Sequence, residues 1–284
     1  MKNKYRILKI AITVILLGFL MNFSLKRFSN KKISDDMVSV KLNDTDTQVY
    51  FIDEQDIKNL VDKNVPSRRI GDINIPVLEQ TIKNLPAVDS ANVYMDLNGH
   101  LHLDIRQRVP VFRYNYGDQD YYVDRRGISF PISRTYSHPT MLVTGKITKE
   151  EYPKVIDLVD KINEDDFCKK FFVGIAKQKG RFNLLTSDGR YKVELGDLEN
   201  IEFKIKGFKT FAEKHLVYQD PDKYTKISVR YDNQIVTTLN PNFKENDSIL
   251  AIGAKELAKN QKQPVIAQNS TKNNTNKNNE KKSN

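Results

Sequence analysis

A long apolar run near the amino terminus constrains this 284-residue chain more than any other feature. Residues 7–25 read ILKIAITVILLGFLMNFSL, and the central part of this run is apolar apart from Thr13 and Gly18. A helix of this kind is about long enough to cross a bilayer, which takes roughly 20 residues. A cleaved signal peptide is the alternative, but no small-x-small cleavage site follows Gly18. We therefore predict an uncleaved anchor at 10–25.

The orientation of this anchor is inferred from the length of its flanks, because charge does not decide it. Four basic side chains lie on each side of the apolar segment, so the positive-inside rule gives no direction. A short amino-terminal tail is easier to leave in the cytoplasm than to translocate. We predict a single-pass protein of the inner membrane, with a cytoplasmic tail at 1–9, a tether at 26–37 and the bulk of the chain in the periplasm.

The formal charge of +10 raises the question of a nucleic-acid partner, and its distribution argues against one. The excess of Lys and Arg lies in residues 1–32 and 255–284, whereas residues 33–254 carry a slight excess of Asp and Glu. A folded part with this balance lacks the basic surface on which nucleic-acid binding depends. We therefore expect no nucleic-acid partner.

The single cysteine, Cys168, excludes an intramolecular disulfide. Lys169 and Lys170 follow it and would favour a reactive thiolate if the side chain were exposed. No motif of a reactive thiol surrounds Cys168, so we expect it to be a small packing residue.

Residues 38–113 carry the pattern of a first folded unit. A strand at 38–42 precedes a helix that begins after Asp53, where an acidic residue three positions later can complete a capping box. A second helix begins near Asn74 and ends before Pro86. Two alternating strands follow, which gives the order strand, helix, helix, strand, strand.

The loop that contains Asn98-Gly99 determines how the last two strands pair. A two-residue turn at Asn98-Gly99 would put the apolar residues of the two strands on opposite faces. A three-residue loop, with Gly99 in the left-handed bulge position, pairs Asp96 with His100 and joins the apolar sets on one face. We predict the three-residue loop. The two sets are Ala91, Val93, Met95 and Leu97, and Leu101, Leu103 and Ile105.

This unit resembles a POTRA domain. The order of its elements is that of POTRA domains, and the phrases LPAVDSANV and NGHLHLDIRQRVPVFRY are similar to the POTRA consensus, including a strand that ends in a basic-x-Pro sequence. The resemblance implies two helices on one face of a three-stranded sheet. It also implies a domain that handles other polypeptides and has no chemistry of its own.

Residues 114–242 form a second predicted unit, rich in short strands. Their arrangement favours a mixed sheet flanked by helices over a closed barrel, so the predicted fold class is α+β. Residues 243–284 are predicted to be a disordered Asn/Lys-rich tail, with 248–259 as a candidate short helix. The predicted elements are a hairpin at 120–133, strands at 141–145, 171–176, 181–187, 190–195 and 225–240, and helices from Thr148 and at 198–216.

The order of anchor, POTRA-like unit and β-rich unit resembles the FtsQ/DivIB family of bacterial cell-division proteins. LGDLENIEFKIKGF at 195–208 is similar to the family's helix under the sheet, and ISVRYDNQIV is similar to its I-x-x-(V/L)-R-Y-D strand. The resemblance spans roughly residues 5–240, and the chain departs from the family in having no Trp and in its Asn/Lys-rich tail. VDRRGISF matches the family element V-D-x-x-G-x-x-F through Val123, Asp124, Gly127 and Phe130.

This resemblance implies a non-enzymatic scaffold of the division septum. Its partners would be FtsB- and FtsL-like single-pass proteins and other proteins of the divisome, with no cofactor and no small-molecule substrate. The main contact would lie on the terminal strand, where an edge accepts a strand of the partner. The predicted contact residues are Ile227, Val229, Arg230, Tyr231, Asp232, Ile235 and Val236, with Lys177 and Lys179 as further basic candidates.

The terminal stretch TKISVRYDNQIVTTLN leaves two structures open. Asp232-Asn233-Gln234 interrupts the alternation of apolar and polar residues, so 225–240 is either one bulged strand or a tight hairpin. In the hairpin case the free edge moves to 235–239.

Catalytic and metal-binding signatures are absent from the sequence. No G-x-S-x-G, Walker A, H-E-x-x-H or dinucleotide-binding loop occurs. His100 and His102 share one face of a strand, but a third ligand would have to be Asp104, and we expect no metal site. Two other functions remain as alternatives, a POTRA-containing component of polypeptide transport or outer-membrane assembly, and an anchored envelope enzyme.

Overall fold

A computed structural model describes residues 2–43 and 47–261 of the chain. Helix α1 spans Lys2–Ser29, and its part from Tyr5 to Ser29 is, within the described residues, the one helix long and apolar enough to cross a membrane. The predicted disorder of the last part of the tail, at 262–284, concerns residues outside the described ones.

The segment that follows α1 is packed on the first folded unit. The prediction of a tether at 26–37 is wrong, because 26–29 continue the helix and Ile33 and Met37 are buried in the core of that unit. Short backbone hydrogen bonds fix the segment, from Ile33 N to Arg68 O at 2.7 Å and from Ile70 N to Lys31 O at 3.0 Å. Because these backbone bonds are flanked by buried apolar side chains, the segment lacks the conformational freedom of a flexible tether.

The first unit is a sheet of three strands, as far as the described residues show, with α2 and α3 packed on it. The central strand β3 pairs in parallel with β1 and antiparallel with β2. This arrangement confirms the predicted order of elements, and we call the sheet the small sheet. Its elements are β1 (Val38–Asn43), α2 (Glu54–Asn64), α3 (Ile75–Lys83), β2 (Val88–Met95) and β3 (Leu101–Gln107).

Local sequence signals in this unit are borne out. The carboxylate of Asp53 accepts a hydrogen bond from Asp56 N at 2.7 Å, and Asn74 caps α3 through Val77 N. The β2–β3 connection is the predicted three-residue loop, with Met95 opposite Leu101 and a positive φ of 85° at Gly99. A positive φ is the backbone state that glycine adopts without steric cost. One member of the predicted apolar set differs, because Leu97 lies in the loop itself and is exposed.

The second unit is a sheet of nine strands within the described residues, which we call the large sheet. Its strand order is β12-β11-β10-β9-β8-β7-β4-β5-β6, with parallel and antiparallel pairs mixed. The predicted α+β class is therefore confirmed. Its strands are β4 (Pro110–Tyr116), β5 (Gln119–Asp124), β6 (Ser129–Pro131), β7 (Met141–Thr144), β8 (Phe172–Gln178), β9 (Arg181–Thr186), β10 (Lys192–Gly196), β11 (Tyr224–Tyr231) and β12 (Gln234–Leu239).

Helices cover one face of the large sheet and bury its main core. The helix predicted from Thr148 starts later, at Tyr152, which places Pro153 in its first turn, where proline costs no hydrogen bond. The predicted disorder of 243–284 is wrong for its first part, because Asp247–Gln261 is helical and contains the candidate helix 248–259. The helices are α4 (Tyr152–Asn163), α5 (Asp166–Phe171), α6 (Ile201–Lys214) and α7 (Asp247–Gln261).

The V-D-x-x-G-x-x-F element joins β5 to β6, and its residues have separate structural roles. Val123 and Phe130 are core residues, and Gly127 has a φ of 75°. The carboxylate of buried Asp124 accepts hydrogen bonds from Arg126 N at 2.9 Å and Ile128 N at 2.8 Å, which closes the turn. The element is thus a structural turn of the sheet.

Only Arg108 and Val109 separate the two sheets, since β3 ends at Gln107 and β4 begins at Pro110. The predicted boundary after Arg113 is therefore several residues too late, because residues 110–113 already belong to the large sheet. Arg108 contacts both units, donating from Nε to Pro86 O at 3.0 Å and from Nη1 to Asp124 Oδ2 at 2.7 Å.

A buried amide completes the junction between the units. Gln107 Oε1 accepts hydrogen bonds from Phe51 N at 2.9 Å and Ile52 N at 3.0 Å, and its Nε2 donates to Val49 O and Ile52 O. Phe51 then reaches the large-sheet unit, where its ring packs edge-on against aromatic rings. These are Tyr122, Phe130 and Tyr136, with centroid distances of 5.5, 5.4 and 5.0 Å.

We expect Gln107→Leu to lower the free energy of unfolding by about 2 kcal/mol or more, because it leaves buried backbone groups of the 49–52 segment without partners. Chemical denaturation of the full chain in detergent, followed by circular dichroism, measures the change. Gln55→Leu is the matched control, since Gln55 is exposed on α2 and bonds only to Asn59 among the described contacts. Equal stability of the two variants would show that the amide does not hold the junction.

Candidate protein-binding edge

The terminal stretch is a hairpin, which decides between the two structures that the sequence leaves open. β11 and β12 pair antiparallel, with Tyr231 opposite Gln234 across the two-residue turn Asp232-Asn233. Asn233 has a φ of 57°, a left-handed conformation that asparagine tolerates better than most residues. The exposed edge therefore lies on β12.

β11 has neighbours on both sides along its central residues and is therefore not an edge strand. It pairs in parallel with β10, where Ile227 lies opposite Val193, and antiparallel with β12. Ile227 and Val229 are 0% and 4% exposed and belong to the main core. Their prediction as contact residues is therefore wrong at the level of side chains, because the helices beneath the sheet already bury them.

β12 is the edge strand of the large sheet, and among the described residues nothing pairs with its outer side. Its side chains alternate in exposure along the strand. Ile235 packs partly against the core, whereas Val236 is 36% exposed on the opposite face. The strand thus combines an inner set of side chains that fixes it to the sheet with an outer backbone edge.

Arg230, Tyr231 and Asp232 form an exposed corner next to this edge. Tyr231 is 49% exposed, and the guanidinium of Arg230 lies 5.3 Å from the centre of its ring. The stem of Arg230 covers the backbone at Gly196, where an added Cβ would come within 2.7 Å of Arg230 Cγ. A cation beside an aromatic ring in this position exposes one charged and one apolar group side by side.

Lys177 and Lys179 are not brought to this corner. Lys177 lies on β8, which β9, β10 and β11 separate from β12, and Lys179 lies in the turn after β8 with a φ of 50°. The ammonium group of Lys177 contacts both carboxylate oxygens of Glu151, at 2.5 and 2.7 Å. The structure therefore places this lysine in an ion pair at the start of the α4 region.

Helix α7 follows the edge strand and is longer and better anchored than the sequence pattern predicts. Asn246 is fully buried before α7 and donates from Nδ2 to Lys223 O and Asn240 O, both at 2.9 Å, so that it ties the helix start to the base of the hairpin. In the sequence, the apolar residues within 248–259 are what indicates this helix. Several large apolar side chains of α7 remain exposed. They are Ile249, Leu250, Ile252 and Leu257.

Potential reactive groups elsewhere are engaged in structure. Burial and the carboxylate of Asp165 raise the pKa of the Cys168 thiol to about 12, so the side chain is the packing residue expected. The rings of His100 and His102 share Asp96 Oδ2, at 3.1 and 3.4 Å, instead of the expected Asp104. In the ranges that the structure describes, no group of three or more His, Cys, Asp or Glu side chains could hold a metal ion.

Two family models match the chain, one for each unit. A POTRA-like domain matches residues 36–106, and the model described as FtsQ/DivIB, C-terminal related, matches residues 109–238. The chain belongs to the FtsQ/DivIB family. The resemblance in sequence is therefore confirmed, and with it the cell-division assignment, while α1 supports the membrane assignment made from the apolar run. The family is of the cell-division scaffold type, so this is a membrane protein of division whose partners are divisome proteins, with α1 as the one candidate span among the described residues.

Comparisons with individual proteins add little to this assignment. No curated protein matches the chain. Among solved structures, the major extracytoplasmic domain of the trans isomer of the cell-division protein DivIB from Geobacillus stearothermophilus aligns with 9% identity and a TM-score of 0.29. That alignment covers 40% of this chain and 98% of the solved one. Because the TM-score is low, the family assignment depends on the two family models.

From the Lys177–Glu151 ion pair we predict a contribution to the stability of the fold that depends on pH. Burial raises the pKa of Glu151, but the Lys177 ammonium and Thr148 N–H outweigh it, so the pKa lies below the usual range. A lowered carboxylate pKa stabilises the fold above the unfolded-state value of about 4.3, and this contribution is lost as the pH falls through the folded-state pKa.

We therefore expect Glu151→Gln to lower the free energy of unfolding by about 1–2 kcal/mol at neutral pH. The difference from the unaltered chain should shrink below about pH 4.3. Denaturation curves across pH measure both effects. Glu164→Gln is the control, because Glu164 forms an exposed pair with Lys161, and such pairs contribute little. A constant difference at all pH values would contradict the ion-pair explanation.

Proposed function

We propose that the chain is a non-enzymatic scaffold of the divisome that binds a segment of a partner by strand addition along β12. The partners would be FtsB- and FtsL-like single-pass proteins. The observation that carries the proposal is the hairpin geometry, because β11 is paired on both sides and β12 is left as the edge among the described residues.

The composition of this edge supports the proposal. Exposed edges are usually blunted by short length, charge or proline, since an unpaired row of N–H and C=O groups invites another strand. The sequence of β12, QIVTTL, has six residues, no charge and no proline. The opposite edge of the large sheet, β6, has three residues and ends in Pro131. Only one of the two edges therefore has the features of a strand-accepting surface.

The corner beside the edge would supply side-chain specificity. Tyr231 offers an amphipathic ring of the type enriched in binding hot spots, and Arg230 offers a charge for an acidic partner residue. Asp232 and Val236 border the same edge. The exposed apolar side chains of α7, which starts at the base of the hairpin, would offer a second contact to a partner that has both an extended and an apolar helical segment.

The same proposal includes the location of the protein. A short amino-terminal flank in the cytoplasm leaves both sheets on the periplasmic side of the inner membrane, where single-pass partners present their own extended regions. Accumulation at the division septum follows from binding to divisome proteins. A fluorescent fusion that labels the whole cell periphery evenly during constriction would contradict this part of the proposal.

Proline substitutions test strand addition through the backbone. N–H groups along an antiparallel edge strand point alternately towards the neighbouring strand and outwards. Of Thr237→Pro and Thr238→Pro, we expect one to break the β11–β12 ladder and the other to remove only an outward donor. The variant with an unaltered unfolding transition should bind the FtsB–FtsL-type pair about tenfold or more weakly, a loss of roughly 1.4 kcal/mol.

Titration of the purified partner pair against the full chain in detergent gives the affinity. Ser129→Pro, on the opposite edge strand, is the matched control and should leave binding unchanged. If the correctly folded β12 variant binds as tightly as the unaltered chain, strand addition at this edge is wrong.

Tyr231→Glu tests the side-chain anchor separately. It should weaken binding to the same pair by about tenfold or more without changing the unfolding transition, because the exposed ring would lose a desolvated contact. Tyr218→Glu is the control, since Tyr218 is 80% exposed in the same unit outside the hairpin. Unchanged affinity for the folded Tyr231 variant would remove this residue from the interface.

A further inference from the structure

The loop between β2 and β3 carries an exposed leucine whose position the core does not explain. Leu97 is 98% exposed, although loop positions of this kind usually hold small polar residues. The loop itself is well fixed, because Asp96 Oδ1 accepts hydrogen bonds from Asn98 N at 2.9 Å and His100 N at 2.8 Å. The exposure of Leu97 is therefore a feature of an ordered loop.

This loop lies against the end of the membrane helix. The ammonium group of Lys31 donates to Asn98 O at 3.1 Å, and a Cβ added to Gly99 would lie 3.7 Å from Phe28 Cε2. Phe28 is three residues beyond Leu25, the last residue of the apolar run, so it lies only about 5 Å further along the helix axis. The loop is thus at the level of the residues that directly follow the apolar run of α1.

Contacts around the helix end keep the loop at that level. Lys31 and Ile33 form backbone hydrogen bonds with Ile70 and Arg68, and a Cβ on Gly71 would collide with the side chain of Ser29. The small sheet therefore cannot move away from the membrane without breaking these contacts.

We propose that the loop Leu97–Gly99, together with Phe28, is a lipid-contacting surface, with Leu97 inserted at the boundary between headgroups and acyl chains. The occupant is the bilayer in which α1 is embedded. An apolar side chain at this depth gains favourable contact with lipid, and the adjacent cations Lys26, Arg27 and Lys32 suit anionic headgroups. The small sheet would then lie directly on the membrane surface.

The absence of tryptophan from the chain allows a direct test. Leu97→Trp introduces a single fluorescent reporter at an almost fully exposed position, so the fold should be preserved. Circular dichroism of the variant checks this. The full chain is reconstituted into phosphatidylcholine–phosphatidylglycerol vesicles that carry brominated acyl chains. Phe23→Trp, within the apolar run of α1, is the positive control, and Tyr218→Trp, exposed on the large-sheet unit, is the negative control.

Emission of the Leu97→Trp variant should shift to shorter wavelength relative to Tyr218→Trp. It should also lose intensity to bromine placed near the headgroups more than to bromine at the bilayer centre. Emission that stays at the wavelength of Tyr218→Trp and is not quenched overturns the proposal. A blue shift without quenching also overturns it, because protein would then cover the side chain. Neither result bears on strand addition at β12.

Discussion

The junction at Gln107 and Arg108 is the interaction on which the arrangement of the whole molecule depends. The buried amide of Gln107 holds the segment that carries Phe51, and Phe51 fills an aromatic cluster of the second unit. Arg108 at the same point binds a carbonyl of the first unit and the Asp124 carboxylate of the second. A two-residue connection with these partners joins the sheets as a fixed pair, because separation would break the Arg108–Asp124 ion pair and expose the ring of Phe51 to water.

The junction at Gln107 and Arg108 fixes the position of the membrane helix relative to the edge strand β12. The membrane helix is tied to the small sheet through Lys31 and Ile33, and the open edge of β12 lies at the far side of the strand order from β6. A scaffold needs this property, since a partner at the proposed binding edge would then be held in a defined position relative to the bilayer. A free tether at 26–37 would have left that position variable.

The basic-x-Pro sequence and the V-D-x-x-G-x-x-F element also gain a physical explanation. Arg108 is the basic residue and Pro110 opens the first strand of the large sheet, so the motif marks the passage between units. The carboxylate of Asp124 closes the β5–β6 turn and accepts a hydrogen bond from Arg108. These two motifs therefore belong to one structural joint and lie outside the proposed binding edge, whereas the Arg-Tyr-Asp motif lies beside that edge.

Elements governed by neighbours in the chain could be predicted from sequence. The Asp53 cap, the three-residue loop at Gly99, the pairing of Met95 with Leu101 and the membrane helix all follow from local hydrogen bonds, backbone sterics or hydrophobic periodicity. Each of these requires information only from residues a few positions away, or from a regular alternation of apolar side chains.

Tertiary structure alone decided which strand became the edge and which candidate residues it could use. The sequence located the terminal stretch and its Arg-Tyr-Asp corner. However, β11 has its second neighbour in β10, about thirty residues earlier, and the helices beneath the sheet bury Ile227 and Val229. Lys177 likewise meets Glu151 across the fold and is kept from the corner. Local forces fix where strands form, whereas non-local packing of the helices and strands fixes which of their sides remain open.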